Sequence, residues 1–144
     1  MTEPEIVVDE APDANLRETI ARPLREYNAS KIGPLVLEPL ALVLKDPETG
    51  AILGGLWAVS TFGWLTIELL FVPERWRAGG VGTALMRKAE EIAVKRGCFA
   101  IRLETSGFQA PGFYEKLGYS AYGKLERHPD GHTHFYYFKT LKKD

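Results

Sequence analysis

The feature that most constrains this chain is an apolar run that enters a glycine-rich turn, with a helix beginning directly after it. The run is Leu65 to Val72. After it come Pro73-Glu74-Arg75-Trp76-Arg77-Ala78-Gly79-Gly80 and the helical Val81-Gly82-Thr83-Ala84-Leu85-Met86. Glycine lets backbone N–H groups approach a ligand closely and tolerates positive φ. A helix start leaves several N–H groups unpaired and carries partial positive charge. Strand, turn and helix start together make an anion site, most often for phosphate, and the plain alternative is a tight strand-to-helix connection. Two nucleotide motifs do not fit. The dinucleotide fingerprint G-x-G-x-x-G needs a third glycine where Leu85 stands, and the ATP-type loop needs Lys where Thr83 stands.

The 144 residues, 45% hydrophobic, suit one domain spanning 1–144 with a core of its own. Lys+Arg of 18 against Asp+Glu of 19 gives a formal net charge of -1, which offers no basis for nucleic-acid binding. Lys139, Lys142 and Lys143 read as a small basic, solvated C-terminal end. The single cysteine, Cys98, excludes an internal disulfide and reads as a buried structural thiol. No apolar run approaches the ~18 residues of a membrane span, and the acidic start is no signal peptide, so a soluble cytoplasmic protein is expected. His128, His132 and His134 lack metal-ligand spacing, and no metal site is expected.

Periodicity gives the element order β-α-β-β-β-α-β-α-β-β. Ile6-Val7-Val8 reads as a short strand. Asp13 caps a helix to about Tyr27, with Pro23 breaking or kinking it. Asn28 to Pro39 reads as a loop with Gly33 and Pro34 that carries a short helical piece. Leu40–Lys45 and Ala51–Ser60 form a hairpin about a turn at Asp46–Gly50, and Gly54-Gly55 marks a bulge or a close approach. Trp64–Val72 is a strand. Gly80–Arg96 is a helix with Leu85, Ala89, Ile92 and Ala93 inward and Arg87, Lys88, Glu90, Glu91 and Lys95 facing water, ended by Gly97. Phe99–Thr105 is a strand, Ala110–Leu117 a short helix, and Tyr119–Leu125 and Phe135–Leu141 are strands about a turn at His128–Gly131. A mixed α/β (α+β) sheet flanked by helices accommodates this order.

The spacing Arg77-x-x-Gly80-x-Gly82 resembles the pyrophosphate-binding motif of the GNAT superfamily of acetyl-CoA-dependent N-acetyltransferases. Ile67-Glu68-x-Leu70-x-Val72 and Phe113-Tyr114-Glu115-Lys116-Leu117-Gly118-Tyr119 are similar to two further signatures of that family. The resemblance covers about Leu40 to Leu141. It implies a central mixed, mostly antiparallel sheet in which two parallel strands, here those ending at Val72 and Thr105, splay to admit the pantetheine arm. It also implies acetyl-CoA as co-substrate, held by Leu70, Phe71 and Val72 on the strand edge, by Arg77, Ala78, Gly79, Gly80, Val81, Gly82 and Thr83 at the turn, and by Phe113.

Acetyl transfer needs a polarised carbonyl, a neutral amine and a stabilised leaving thiolate. An alkyl ammonium of pKa about 10.4 needs a base at neutral pH. Glu68 interrupts an apolar strand, where a carboxylate is costly unless solvated or paired and where burial would raise its pKa. The resemblance makes it the base, with Glu104 the alternative carboxylate. Tyr114 is the corresponding acid for the leaving thiolate, the alternative being a packed aromatic. One position departs from the family pattern: Gly107 stands where many members carry an Asn that contacts the pantetheine, and Gln109 is the candidate replacement. Tyr27, Trp57 and Trp64 are candidates to line the acceptor pocket. The expected reaction is direct attack by the primary amine of a small molecule in a ternary complex. A protein N-terminus or lysine is the enzymatic alternative, and a non-catalytic acyl-CoA-binding module is the rival from another class. Pairing of late strands between subunits, common in the family, makes a homodimer an expectation.

Overall fold

The computed structural model describes residues 2–141, so Lys142 and Lys143 lie outside the described residues. Its contacts divide the chain into two compact units, Met1–Leu35 and Val36–Asp144.

The first unit is built on helix α1 (Ala14–Ile32). The Asp13 side chain accepts a hydrogen bond from Leu16 N–H, as its capping role requires. The expected strand at Ile6–Val8 does not form; three β-branched residues have the propensity, but a strand exists only where a neighbour supplies the ladder. Helix α1 also runs unbroken through Pro23 and over residues 28–32, where a loop was expected. A proline removes one hydrogen bond, and the flanking turns keep theirs. The helix ends where Gly33 turns to φ 87°.

The second unit is a six-stranded sheet in the order β1-β2-β3-β4-β6-β5. Its strands are β1 (Glu38–Lys45), β2 (Ile52–Thr61), β3 (Trp64–Phe71), β4 (Ala100–Ser106), β5 (Ser120–Leu125) and β6 (His134–Thr140). Between them lie a short 3-10 turn (Glu74–Trp76), α2 (Val81–Lys95) and α3 (Pro111–Lys116). Four of the five strand pairs are antiparallel, and β3–β4 is the parallel one. Leu56 and Ala58 of β2, Leu65 and Ile67 of β3, Ile101 and Leu103 of β4 and Tyr137 of β6 form the core with Met86 and Ala89 of α2 and Tyr114 of α3. Cys98 is buried, as expected.

Polar links fix α2 at both ends of this core. Glu90, expected to face water, accepts from Tyr119 Oη at 2.9 Å and from Lys139 Nζ at 3.1 Å. Lys139, expected in a solvated end, also donates to the Leu117 carbonyl. These pairings arise because β6 returns beside β4, which brings residue 139 over the middle of α2. At the other end Arg96 donates to the carbonyls of Glu38 and Pro39 and to Ser60 Oγ.

The Gly54-Gly55 pair marks both a bulge and a close approach. The β1–β2 register shifts beside Leu44–Gly54. A Cβ on Gly55, whose φ is 139°, would lie 2.1 Å from the Leu42 carbonyl oxygen. Gly55→Ala is therefore expected to cost about 3 kcal/mol or more, from the clash and the backbone strain together. Chemical denaturation measures this; a loss below about 1 kcal/mol would show that β1 can yield.

Candidate active site

The parallel pair β3–β4 matches residue for residue only from Trp64↔Ala100 to Ile67↔Leu103. Beyond it both strands continue, β3 to Phe71 and β4 to Ser106, without pairing to each other. The edge of residues 68–71 that faces β4 is thus bare. At the same point β3 bulges. Trp57 of β2 pairs with Leu69 and the adjacent Ala58 with Ile67, which leaves Glu68 as the extra residue. Alternation breaks there: Glu68 and Leu69 are both exposed, and Leu70 turns back to the core. Glu68 has no hydrogen bond or ion pair among the described residues, so of the two ways to host a carboxylate in this strand, solvation is the one used.

Past the end of β3 the chain makes the 3-10 turn, and Ala78 and Gly80 adopt positive φ, 62° and 85°. Gly80 caps α2 without any side-chain hydrogen bond. The N–H groups of residues 78–83 have no partner among the described residues; the first intrahelical bond is Ala84 N–H to the Gly80 carbonyl. Six consecutive unpaired amides at the start of a 15-residue helix form a concentrated patch of positive potential. The Arg77 side chain folds back instead, donating from Nε to the Val72 carbonyl at 2.8 Å and lying over the Phe71 ring. Gly82 is packed from below: a Cβ there would stand 3.2 Å from the Phe113 ring.

Tyr114 sits in the core in a cluster of tyrosines, with ring centroids 6.1 Å from both Tyr119 and Tyr137. The neighbours' hydroxyls donate to the carboxylates of Glu90 and Glu115. Tyr114 Oη has no partner among the described residues, and burial raises its pKa to about 12. Gln109 Oε1 accepts from Thr105 Oγ1 and from Ser106 N–H, which secures the turn from β4 into α3.

On the sheet face away from α2, a cavity of about 270 Å³ opens at the parting, lined by Glu68 and Glu104 with Thr66, Arg102 and Tyr122. A larger one of about 480 Å³ shares Thr66, Arg102 and Tyr122 and continues past Trp64 and Phe138 to Thr61 and Phe62. Trp64 is thus brought to the site. Trp57 stands half-exposed on the same face but lines neither cavity, and Tyr27 belongs to the first unit, on α1. Sequence reading missed the chain Ser106 Oγ···His134 Nδ1 at 3.3 Å and His134 Nε2···Glu104 Oε2 at 2.9 Å. It depends on the register Ser106↔His134, which pairs residues 28 apart. The alternation of Arg102 and Glu104 with apolar neighbours was the one available signal. Among the described residues no cluster of three or more His, Cys, Asp or Glu is placed to hold a metal, and no helix is long and apolar enough to cross a membrane.

A family model described as "Acetyltransferase (GNAT) family" matches residues 8–119. An acetyltransferase of Agrobacterium fabrum is 34% identical over 83% of this chain and 86% of its own length. The blasticidin-S acetyltransferase of Streptomyces morookaense is 37% identical over 65% of this chain and 70% of its own. The crystal structure of an acetyltransferase from Bacillus cereus superposes with a TM-score of 0.84 at 36% identity, covering 94% of this chain and 98% of that one.

Tyr114 has a consequence for alkaline stability. Its folded pKa, about 12, exceeds the ordinary 10, so between these values the unfolded chain binds fewer protons than the folded one. Stability must then fall as pH rises through that window, by up to about 3 kcal/mol for this group. Burial and the Glu90 carboxylate push Tyr119 the same way. Denaturation curves from pH 9 to 11.5 should show the decline, and Tyr114→Phe should make it shallower. An unchanged slope would mean that this hydroxyl is solvated.

Proposed function

The chain belongs to the acetyltransferase (GNAT) family, and on that basis we propose that residues 1–144 act as one catalytic domain that moves the acetyl group of acetyl-CoA to the primary amine of a small molecule, by direct attack in a ternary complex. The observation that carries the reading is the coincidence of three features at one place. The amides of residues 78–83 are unpaired, the edge of β3 is bare, and a cavity holding Glu68 opens where β3 and β4 part. The similarity to a blasticidin-S acetyltransferase supports a small molecule as acceptor.

In this reading the amides of Ala78, Gly79, Gly80, Val81, Gly82 and Thr83 hold the pyrophosphate. Arg77 adds charge beside it while its Nε braces the Val72 carbonyl. Leu70, Phe71 and Val72 offer backbone groups to the pantetheine amides as an added strand would. Phe113 floors the turn at Gly82, and Gln109 holds the α3 turn in register. An N–H of the bulged segment polarises the acetyl carbonyl. Glu68 takes the amine proton directly or through one water. The N–C bond forms, the C–S bond breaks, and the Tyr114 hydroxyl donates to the departing thiolate. A phenol with no hydrogen-bond partner among the described residues suits that last role, because its proton is present at neutral pH and is not committed to another group. Glu104 lines the same cavity and, with His134 bonded to it, is the second route for the proton.

The test separates binding from chemistry. Gly79→Trp, at a position of the turn where an added Cβ meets nothing closer than the Trp76 carbonyl oxygen at 3.9 Å, should abolish acetyl-CoA binding by calorimetry in a protein that remains folded by circular dichroism. Glu68→Gln should lower kcat about 100-fold or more, and Tyr114→Phe about 10-fold, with acetyl-CoA affinity retained in both. If the double variant releases CoA at the wild-type rate, the catalytic assignment is wrong. If wild type binds acetyl-CoA but transfers to no amine, the acyl-CoA-binding module is the better reading.

A further inference from the structure

The two cavities on the open sheet face share one wall and differ in chemistry. One end holds two carboxylates, Glu68 and Glu104, and the other is walled by the aromatic rings of Phe62, Trp64, Tyr122 and Phe138. At about 480 Å³ the aromatic end alone lies within the roughly 300–1,000 Å³ range of small-molecule sites. Its rings are held rather than loose: Trp64 meets Phe99 at 6.2 Å and Phe138 at 6.4 Å, and Tyr122 meets Phe138 at 5.8 Å. Between the ends Arg102 donates from Nε to Thr66 Oγ1 at 2.9 Å.

From this we infer that the acceptor is an amphiphilic amine. Its ammonium end seats between Glu68 and Glu104, and a flat aromatic or heteroaromatic body lies in the trough of Trp64, Tyr122 and Phe138. This rests on the acetyltransferase reading and adds the substrate class to it. From Trp64 to Glu68 the strand rises roughly 13 Å, so ring and amine are separated by a linker of several atoms. A thin aliphatic polyamine would satisfy the carboxylates and leave the rings uncovered. A ring covers them and gains aromatic contact besides burial.

The experiment compares 4-phenylbutylamine with n-butylamine, which share an amine and a chain and differ only in the ring. Binding is measured by calorimetry on the full chain, with and without CoA, and acetyl transfer is measured in parallel. The ring compound is expected to bind at least 10-fold more tightly. Trp64→Ala and Tyr122→Ala should each shrink that ratio at least 5-fold; Tyr122, on the exposed β5, serves should the Trp64 variant not fold. Equal binding of the two amines within 3-fold, in a protein that acetylates both, overturns the inference and leaves the acetyltransferase reading intact. Ring-dependent binding that needs Trp64, in a protein that transfers no acetyl group, upholds the trough and overturns that reading instead.

Discussion

Everything at the site depends on two parallel strands that pair over four residues and then separate. A sheet normally resists this, because each lost rung leaves backbone donors and acceptors without partners. Here the separation coincides with the bulge at Glu68, and the two distortions work together. The bulge rotates β3 so that Glu68 and Leu69 both leave the core while Leu70 stays in it. The parting supplies the bare edge, the exposed carboxylate and the cavity in one step. Neither distortion alone would do so: a bulge within a fully paired sheet would only kink it, and a parting without a bulge would leave the side-chain alternation of β3 unchanged.

What holds the strands apart is the packing beneath them. Phe113, on the helix that follows β4, lies against Gly82, on the helix that follows β3, and Val72 stands beside the same contact. A side chain at position 82 would push α2 away from α3, so glycine here is set by packing and not by φ. The Tyr119–Glu90–Lys139 set ties the middle of α2 to β6, and Arg96 ties its far end to β1 and β2. Helix α2 is thus tied at its middle and its far end, and its start is packed against Phe113 at Gly82. The tyrosine cluster divides along the same lines: two hydroxyls are committed to carboxylates on helices, and the third, on Tyr114, has no partner among the described residues.

Local chemistry in the sequence was a good guide wherever the determinant lay within a few residues. The hairpin about Asp46–Gly50, the Asp13 cap, the start of α2 at Gly80 and the Gly54-Gly55 close approach all follow from short-range signals. Non-local features escaped it. An apolar run reads the same whether or not Glu68 is a bulge, since a bulge is a property of the pair β2–β3. The exposure of Glu90 and Lys139 was misjudged because helical periodicity says which face a residue occupies but not that a lysine 49 residues away will be laid across it. Ile6–Val8 failed as a strand for the converse reason: propensity was present and a partner was not. Of the acceptor candidates, Trp64 reaches a cavity and Trp57 does not, although both stand on the same face of the sheet. The bulge separates their surroundings, and it is invisible in either strand read alone.

Charge shows most clearly why composition was a poor guide to the site. A net charge of -1 gives no reason to expect a nucleic-acid binder or a strongly anionic partner. Yet within the second unit the field is sharply divided. Six amide dipoles converge at the start of α2 with no side-chain carboxylate bonded to them, while Glu68 and Glu104 flank the parting on the far face, with Arg102 in the same cavity and His134 bonded to Glu104. Screening in physiological salt acts over about 8 Å, so an ion in either place feels its near neighbours and little of the overall balance. An anionic donor and a cationic acceptor can thus be drawn to opposite faces of one opening in a sheet and meet through it. Neither the count of charges nor the order of elements shows that arrangement. It follows from the bulge that turns one glutamate outward and from the gap that lets the two faces communicate.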